Sequence, residues 1–296
     1  MRVLLTGAGG QVAHELARRA GAREVELLAY HRAALDLTDA DAVAAVMAAS
    51  RPDLVINGAA YTAVDRAESE PQLARAVNVD APAHLAAACD VAGVPLIHLS
   101  TDFVFDGTTR RPYRPDDATA PAGVYARSKA AGEEQVRSLL QQHLILRLSW
   151  VFGAHGHNFL KTVLRLAKER EELRVVDDQY GCPTWAGHIA DAVWVLAERA
   201  LSDSEPRWGT YHFCGQPVTT WHGFAVAIIE AAKRRGALKI RNVRAITTAE
   251  YPLPAPRPAW SVLDCSSLTS EFGIAQADWR LGLDLTLNEI FGTDGL

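Results

Sequence analysis

The sequence predicts an α/β protein: a Rossmann-type doubly wound parallel sheet with a smaller α/β substrate-binding lobe at the C-terminal side. In the first half of the chain, short and nearly continuous apolar runs alternate with helix-length segments. Strands covered on both faces by crossover helices have that composition. The first run ends directly in the glycine-rich stretch Gly7-Ala8-Gly9-Gly10. Beyond Trp150 the alternation loosens under Gly153, Gly156, Gly181 and Pro183, and four prolines stand between Pro252 and Pro258, residues that punctuate rather than propagate regular structure.

In order, Arg2–Thr6 reads as the first strand, and residues 11–19 place Val12, Leu16 and Arg19 at helical spacing. Strands follow at residues 25–29, 53–57, 95–99 and 143–149, with helices predicted at 39–50, 71–91 and 124–142. Residues 1–153 and about 184–214 are expected to form the dinucleotide-binding domain, and about 154–183 and 215–296 the substrate lobe. Right-handed crossovers put the ligand crevice at the carboxyl ends of the strands, so functional residues are expected just after each one.

Composition narrows the function classes. The 296 residues, 49% hydrophobic, can bury a large core, and a net charge of −5 gives no basic field to recruit nucleic acid or an anionic membrane. No apolar run reaches membrane-spanning length and no cleavable signal precedes the first strand, so a cytoplasmic location is expected. Cys89, Cys182, Cys214 and Cys265 lack paired spacing, which argues against a zinc knuckle or a disulfide framework and for buried thiols in a reducing compartment.

The turn carries Gly7, Gly10 and Ala13 at three-residue steps, with Gln11 and Val12 opening the helix. Small residues there let backbone amides approach a pyrophosphate at the helix N-terminus. After the second strand the chain reads Ala29-Tyr30-His31-Arg32, with no carboxylate to hold a ribose 2′-hydroxyl. Arg32, with His31, suits a 2′-phosphate, so NADPH is expected and NADH is the alternative; an exposed loop arginine is the plainer reading. Asp36 and Leu37, then Ala59, Ala60 and Tyr61 after the third strand, are placed to flank adenine and ribose, and Asn78 is counted with them. Asp36 reads equally as a turn or helix cap.

The fourth strand ends in Ser100-Thr101-Asp102, and Tyr125 and Lys129 follow at i and i+4 on a predicted helix, sharing one face. Carbonyl reduction needs a proton delivered to oxygen as charge develops there. A phenol supplies it, a nearby ammonium lowers its pKa from about 10, and a hydroxyl such as that of Thr101 orients the substrate oxygen. Tyr-x-x-x-Lys alone is usually an exposed helix face; the nucleotide turn and the strand-end Ser-Thr give it weight.

With those residues in place, the sequence resembles the extended short-chain dehydrogenase/reductases and, among them, the dTDP-4-dehydrorhamnose reductases. The specific runs are residues 63–68 (Ala-Val-Asp-Arg-Ala-Glu), 100–107 (Ser-Thr-Asp-Phe-Val-Phe-Asp-Gly), 158–162 (Asn-Phe-Leu-Lys-Thr), 178–184 (Asp-Gln-Tyr-Gly-Cys-Pro-Thr), and Arg257-Pro258 with Ser261, Leu263 and Asp264. The resemblance implies NADPH-dependent reduction of the C4 ketone of dTDP-4-dehydro-L-rhamnose, a small-molecule nucleotide sugar. It carries the reductase roles to Thr101, Tyr125 and Lys129, places Asp102, Phe103 and the sugar-contacting Trp150 in the substrate pocket, and assigns Asn158, Lys161 and Arg257 to the nucleotide. A core tryptophan is the alternative for Trp150.

Two departures stand out. Phe103 occupies a position where such reductases commonly carry tyrosine. Some members join two subunits through magnesium held by glutamates; Glu15 matches one, but Gly187 stands where another is expected. Monomer and homodimer both stay open, and Mg2+ is not expected with assurance. Nucleotide-sugar 4,6-dehydratases place adjacent Asp and Glu after the threonine, whereas here Phe103 follows Asp102, so elimination lacks a proton carrier. Epimerases and a non-catalytic NADP-binding regulatory subunit are the further alternatives. His155, His157 and the run Glu68-Ser69-Glu70 read as loop contacts or solvated side chains.

Overall fold

The computed structural model describes residues 1–293. Six parallel strands form the central sheet in the order Gly209–Phe213, His143–Leu148, Leu96–Thr101, Leu54–Asn57, Arg2–Thr6, Glu26–Tyr30. Chain direction across the sheet reverses on either side of Arg2–Thr6, which opens a crevice at the carboxyl ends of the first and third strands.

Strand periodicity explains the continuous apolar runs. Val3, Leu5, Leu54, Ile56, Ile97, Leu144 and Leu146 enter one core layer beneath the helices Gln11–Ala20 and Ala186–Ser202. Leu4, Val55, Leu96 and Ile145 enter the other, beneath Ala40–Ser50, Ala81–Ala92 and Gly123–Leu139. Alternate residues point to opposite faces, and both faces are dry. The sixth strand escaped the strand reading because Gly209-Thr210-Tyr211-His212-Phe213 mixes polar and aromatic residues instead of forming an aliphatic run.

Residues 71–91, read as one helix, divide into Pro71–Arg75, a π-helical turn Ala76–Asp80, and Ala81–Ala92. The bulge brings the backbone against the helix Gly123–Leu139, where a Cβ on Gly132 would lie 2.0 Å from the Asn78 carbonyl oxygen. Only glycine permits that approach.

The second lobe has its own core. Helices Phe159–Glu169, Trp221–Lys233 and Trp279–Thr293 pack through Leu160, Leu164, Phe224, Ile228 and Leu283, beside a parallel pair made by Glu172–Val176 and Asn242–Ile246. Helix Ser266–Phe272, by contrast, buries Leu268 and Phe272 in the sheet-side core. All four cysteines are buried and free. Among the described residues no helix is long and apolar enough to cross a membrane.

Candidate active site

A cleft of about 1300 Å³ runs from the glycine turn to the second lobe. That exceeds the usual volume for a single small ligand and leaves room for two.

At one end, Gly7 has φ +73°, and a Cβ there would lie 2.6 Å from Ala59 N and Gly58 O. Gly10 N donates to Gly7 O at 2.8 Å, which closes the turn. The helix that starts at Gln11 has no side-chain cap, so its first amides lack an intramolecular side-chain acceptor and suit an anion. Gln11, Val12, His31, Arg32, Asp36, Leu37, Ala59, Ala60 and Tyr61 line the same stretch. This glycine cradle and uncapped helix fit a dinucleotide. The Asp36 carboxylate accepts from Thr38 N at 3.0 Å and Thr38 Oγ1 at 2.7 Å, which holds its pKa below the usual value and gives it the role of a turn residue. Asn78 is off the cleft wall; it accepts from Tyr61 N at 2.8 Å and donates to Ser128 Oγ at 2.9 Å, tying the Tyr61 loop to the Tyr125 helix.

Thr101, Tyr125 and Lys129 meet at the middle of the cleft. Glu68 Oε1 accepts from Val124 N at 2.7 Å, and Tyr61 donates its hydroxyl to Glu70 at 2.5 Å. Two of the three residues in the run read as solvated therefore anchor the start of the Tyr125 helix and the Tyr61 loop. Burial pushes the Tyr125 phenol up to about 12; the facing Thr101 hydroxyl opposes this and the Asp102 charge adds to it. Burial pulls Lys129 down to about 8, against the attraction of Glu133 one turn along. Thr101 Oγ1 donates to Asp102 Oδ1 at 3.1 Å and accepts from Phe103 N at 3.2 Å. Burial lifts Asp102 to about 6, against the hydroxyls of Ser261, Thr101 and Ser149, which favour the carboxylate. Phe103 sets its ring edge-on to Tyr125, centroids 5.7 Å apart, so an apolar contact takes the place of a hydroxyl.

At the opposite end of the cleft, Trp150 is a non-glycine residue with φ +46°, a conformation retained where surrounding structure enforces it. Its indole stacks on Trp221 with centroids 3.5 Å apart and planes 7° from parallel. It also covers Gly181, where a Cβ would lie 2.4 Å from the ring. Arg257 lines the cleft with its guanidinium already paired to Asp65 at 2.5 and 2.7 Å, a link between the two lobes. Asn158 and Lys161 are absent from the cleft wall. The Asn158 side chain accepts from Lys161 N at 3.0 Å as a helix cap and donates to Gly153 O at 2.8 Å and Gln11 Oε1 at 3.1 Å. Gln179, from the run 178–184, lines this end, as do Arg174, Trp221, Thr248 and Tyr251, which the sequence reading did not single out. Arg174 gave a faint signal, as a cation inside the apolar run Leu173 to Val176.

Magnesium does not fit at Glu15. The glutamate is buried, with Arg18 at 2.8 Å and Arg19 in contact, and Gly187 carries no ligand atom. His14, His155 and Glu289 do bring potential ligand atoms within 4.8 Å. The two imidazoles, however, lie against each other with centroids 3.4 Å apart and planes tilted by 32°, and His155 Nε2 pairs with Glu289 at 2.7 Å.

A Rossmann-type sheet with Tyr125, Lys129 and Thr101 at its crevice defines a nucleotide-cofactor oxidoreductase of the short-chain type. The profile of the RmlD substrate binding domain family matches residues 1–291. A dTDP-4-dehydrorhamnose reductase of Sinorhizobium fredii is 46% identical over 282 residues, 95% of this chain and 94% of the relative. Among solved structures, a dTDP-4-dehydrorhamnose reductase of Clostridium acetobutylicum superposes with TM-score 0.92 at 33% identity, covering 98% of this chain and 99% of the other. One from Bacillus anthracis, in complex with NADP, gives 0.90 at 35% identity, covering 97% and 99%. The chain belongs to the dTDP-4-dehydrorhamnose reductase family.

Proposed function

We propose that this protein reduces the C4 ketone of dTDP-4-dehydro-L-rhamnose to dTDP-L-rhamnose, using NADPH, in the cytoplasm. The observation that carries the reading is the single cleft that joins a glycine phosphate cradle to an aromatic sugar end, with Tyr125 between them. In this reading residues 1–153 and about 184–214 hold the cofactor, and about 154–183 with 215–296 hold most of the nucleotide sugar.

Bound NADPH supplies the hydride. The turn Gly7–Gly10 and the first amides of the helix that begins at Gln11 hold the pyrophosphate, and Arg32 with His31 takes the 2′-phosphate. Thr101 orients the ketone oxygen, and Tyr125 gives its phenolic proton to that oxygen as negative charge builds. An ammonium on Lys129 stabilises the phenolate left behind. Trp150 and the Trp221 indole stacked on it form the apolar wall beside the sugar ring. Phe103, in place of a second carboxylate beside Asp102, leaves the site without the proton carrier that elimination of water requires.

Mixing the protein with NADPH and enzymatically generated dTDP-4-dehydro-L-rhamnose is expected to consume one cofactor per sugar and to give the rhamnosyl product by NMR. Consumption with a different 6-deoxyhexose would keep the reductase and overturn the substrate assignment.

A further inference from the structure

The residue register across the first, third and fourth strands sets Thr6 beside Asn57 and Asn57 beside His98. These three polar side chains, at most 1% exposed, form a hydrogen-bonded row that ends on Lys129. Thr6 Oγ1 donates to Asn57 Oδ1 at 2.7 Å, and Ala59 N donates to the same oxygen at 3.1 Å. Asn57 Nδ2 lies 3.0 Å from His98 Nδ1, and His98 Nε2 lies 3.3 Å from Lys129 Nζ. Lys129 Nζ donates to Leu99 O at 2.8 Å.

Donor and acceptor roles along the row follow from its fixed end. Turning the Asn57 amide over would set its NH2 against the Ala59 N–H, so the NH2 faces His98 and Nδ1 must accept. His98 is held neutral, its pKa well below the usual value, chiefly by complete burial. A neutral imidazole that accepts at Nδ1 carries its hydrogen on Nε2. That N–H points at Lys129. An amine has a lone pair to receive it; an ammonium would oppose N–H to N–H.

Resting on the reductase reading, we propose that His98 is a positioning residue of this site: locked as the Nε2–H tautomer by Asn57 and Thr6, it favours the amine form of Lys129 until a phenolate forms on Tyr125. Leu99 O aside, the charged group acting on Lys129 is Glu133 on its own helix. Glu133 is committed to Arg147 at 2.7 Å and to Ser100 at 2.6 Å, and Tyr125 is neutral at rest. Drawn down to about 8, Lys129 sits close to its point of change, and the phenolate that forms on Tyr125 draws it to the ammonium.

The test has two readouts. In protein labelled with 15N-histidine, His98 should show the Nε2–H tautomer and no titration between about pH 6 and 9; an Nδ1–H tautomer or a titrating His98 would overturn the proposal. The Lys129 titration, followed by its 13Cε shift, should move up on the order of one pH unit in His98→Gln, whose carbonyl can accept from an ammonium. Lys129 unmoved in folded His98→Gln would overturn the proposal. Neither readout needs turnover, so failure of the substrate assignment is seen separately in the product assay.

Discussion

Along the glycine-turn half of the cleft, much of the lining follows directly from the strand before it: Gly7 and Gly10 from the first, His31 and Arg32 from the second, Ala59 to Tyr61 from the third. The sugar half is gathered from residues far apart in the chain, with Trp150 stacked on Trp221, Gly181 under its ring, and Arg257 drawn across to Asp65. The first half is fixed by backbone geometry, where the absence of a side chain is the functional feature. The second is fixed by side-chain packing. Damage to the two halves should therefore read out differently.

The largest effect is expected at the turn. Gly7→Ala puts a methyl group 2.6 Å from backbone atoms at φ +73° and should weaken NADPH binding by roughly 100-fold or more, equivalent to about 2.7 kcal/mol. Titration of cofactor fluorescence checks this; near-native affinity would mean that the turn is not the phosphate cradle. Next, Arg32→Ala should lower the preference for NADPH over NADH by about 10-fold to 100-fold, the range for one charge-assisted hydrogen bond. The ratio of kcat/KM values measures it.

Gly181→Ala sharpens the contrast from the other side. It should raise KM for the nucleotide sugar about 10-fold by displacing Trp150, with cofactor affinity unchanged; a parallel loss of both would show that the halves are not separable.

The last effect concerns pH and is read on stability rather than on binding. Burial holds His98 and His212 neutral, His212 down to about 3. Their folded pKa values lie below the unfolded value, so their contribution to stability is present above about pH 6.5 and is lost as pH falls below it, by roughly 1.4 kcal/mol per unit for each histidine. Asp102, raised to about 6, opposes this between about pH 6 and 4, where the folded state binds its proton first. Denaturant midpoints at pH 7.5, 6 and 5 should decline throughout.

Legibility in the sequence tracks the same division. Aliphatic strands, the glycine turn and the Tyr125–Lys129 spacing obey short-range rules, and the structure places them as the sequence predicts. The π-helical turn at Ala76–Asp80 depends on Gly132 fifty residues onward, so no local pattern announces it. Trp221 opens an ordinary amphipathic helix, and only its contact with Trp150 marks it. Arg257 was singled out as a cation for the nucleotide, but its pairing with Asp65 spans the lobes and leaves no spacing to read. Lys161 matched a motif whose Asn158 proves to be a helix cap.

The central claim is that Tyr125 gives the proton that completes ketone reduction between these two halves. Single-turnover hydride transfer from pre-bound NADPH to dTDP-4-dehydro-L-rhamnose, compared in wild type and Tyr125→Phe, tests it most directly. A rate loss of about 10²-fold to 10⁴-fold, with cofactor and sugar affinities kept, is the result expected; transfer at the wild-type rate in Tyr125→Phe would contradict it.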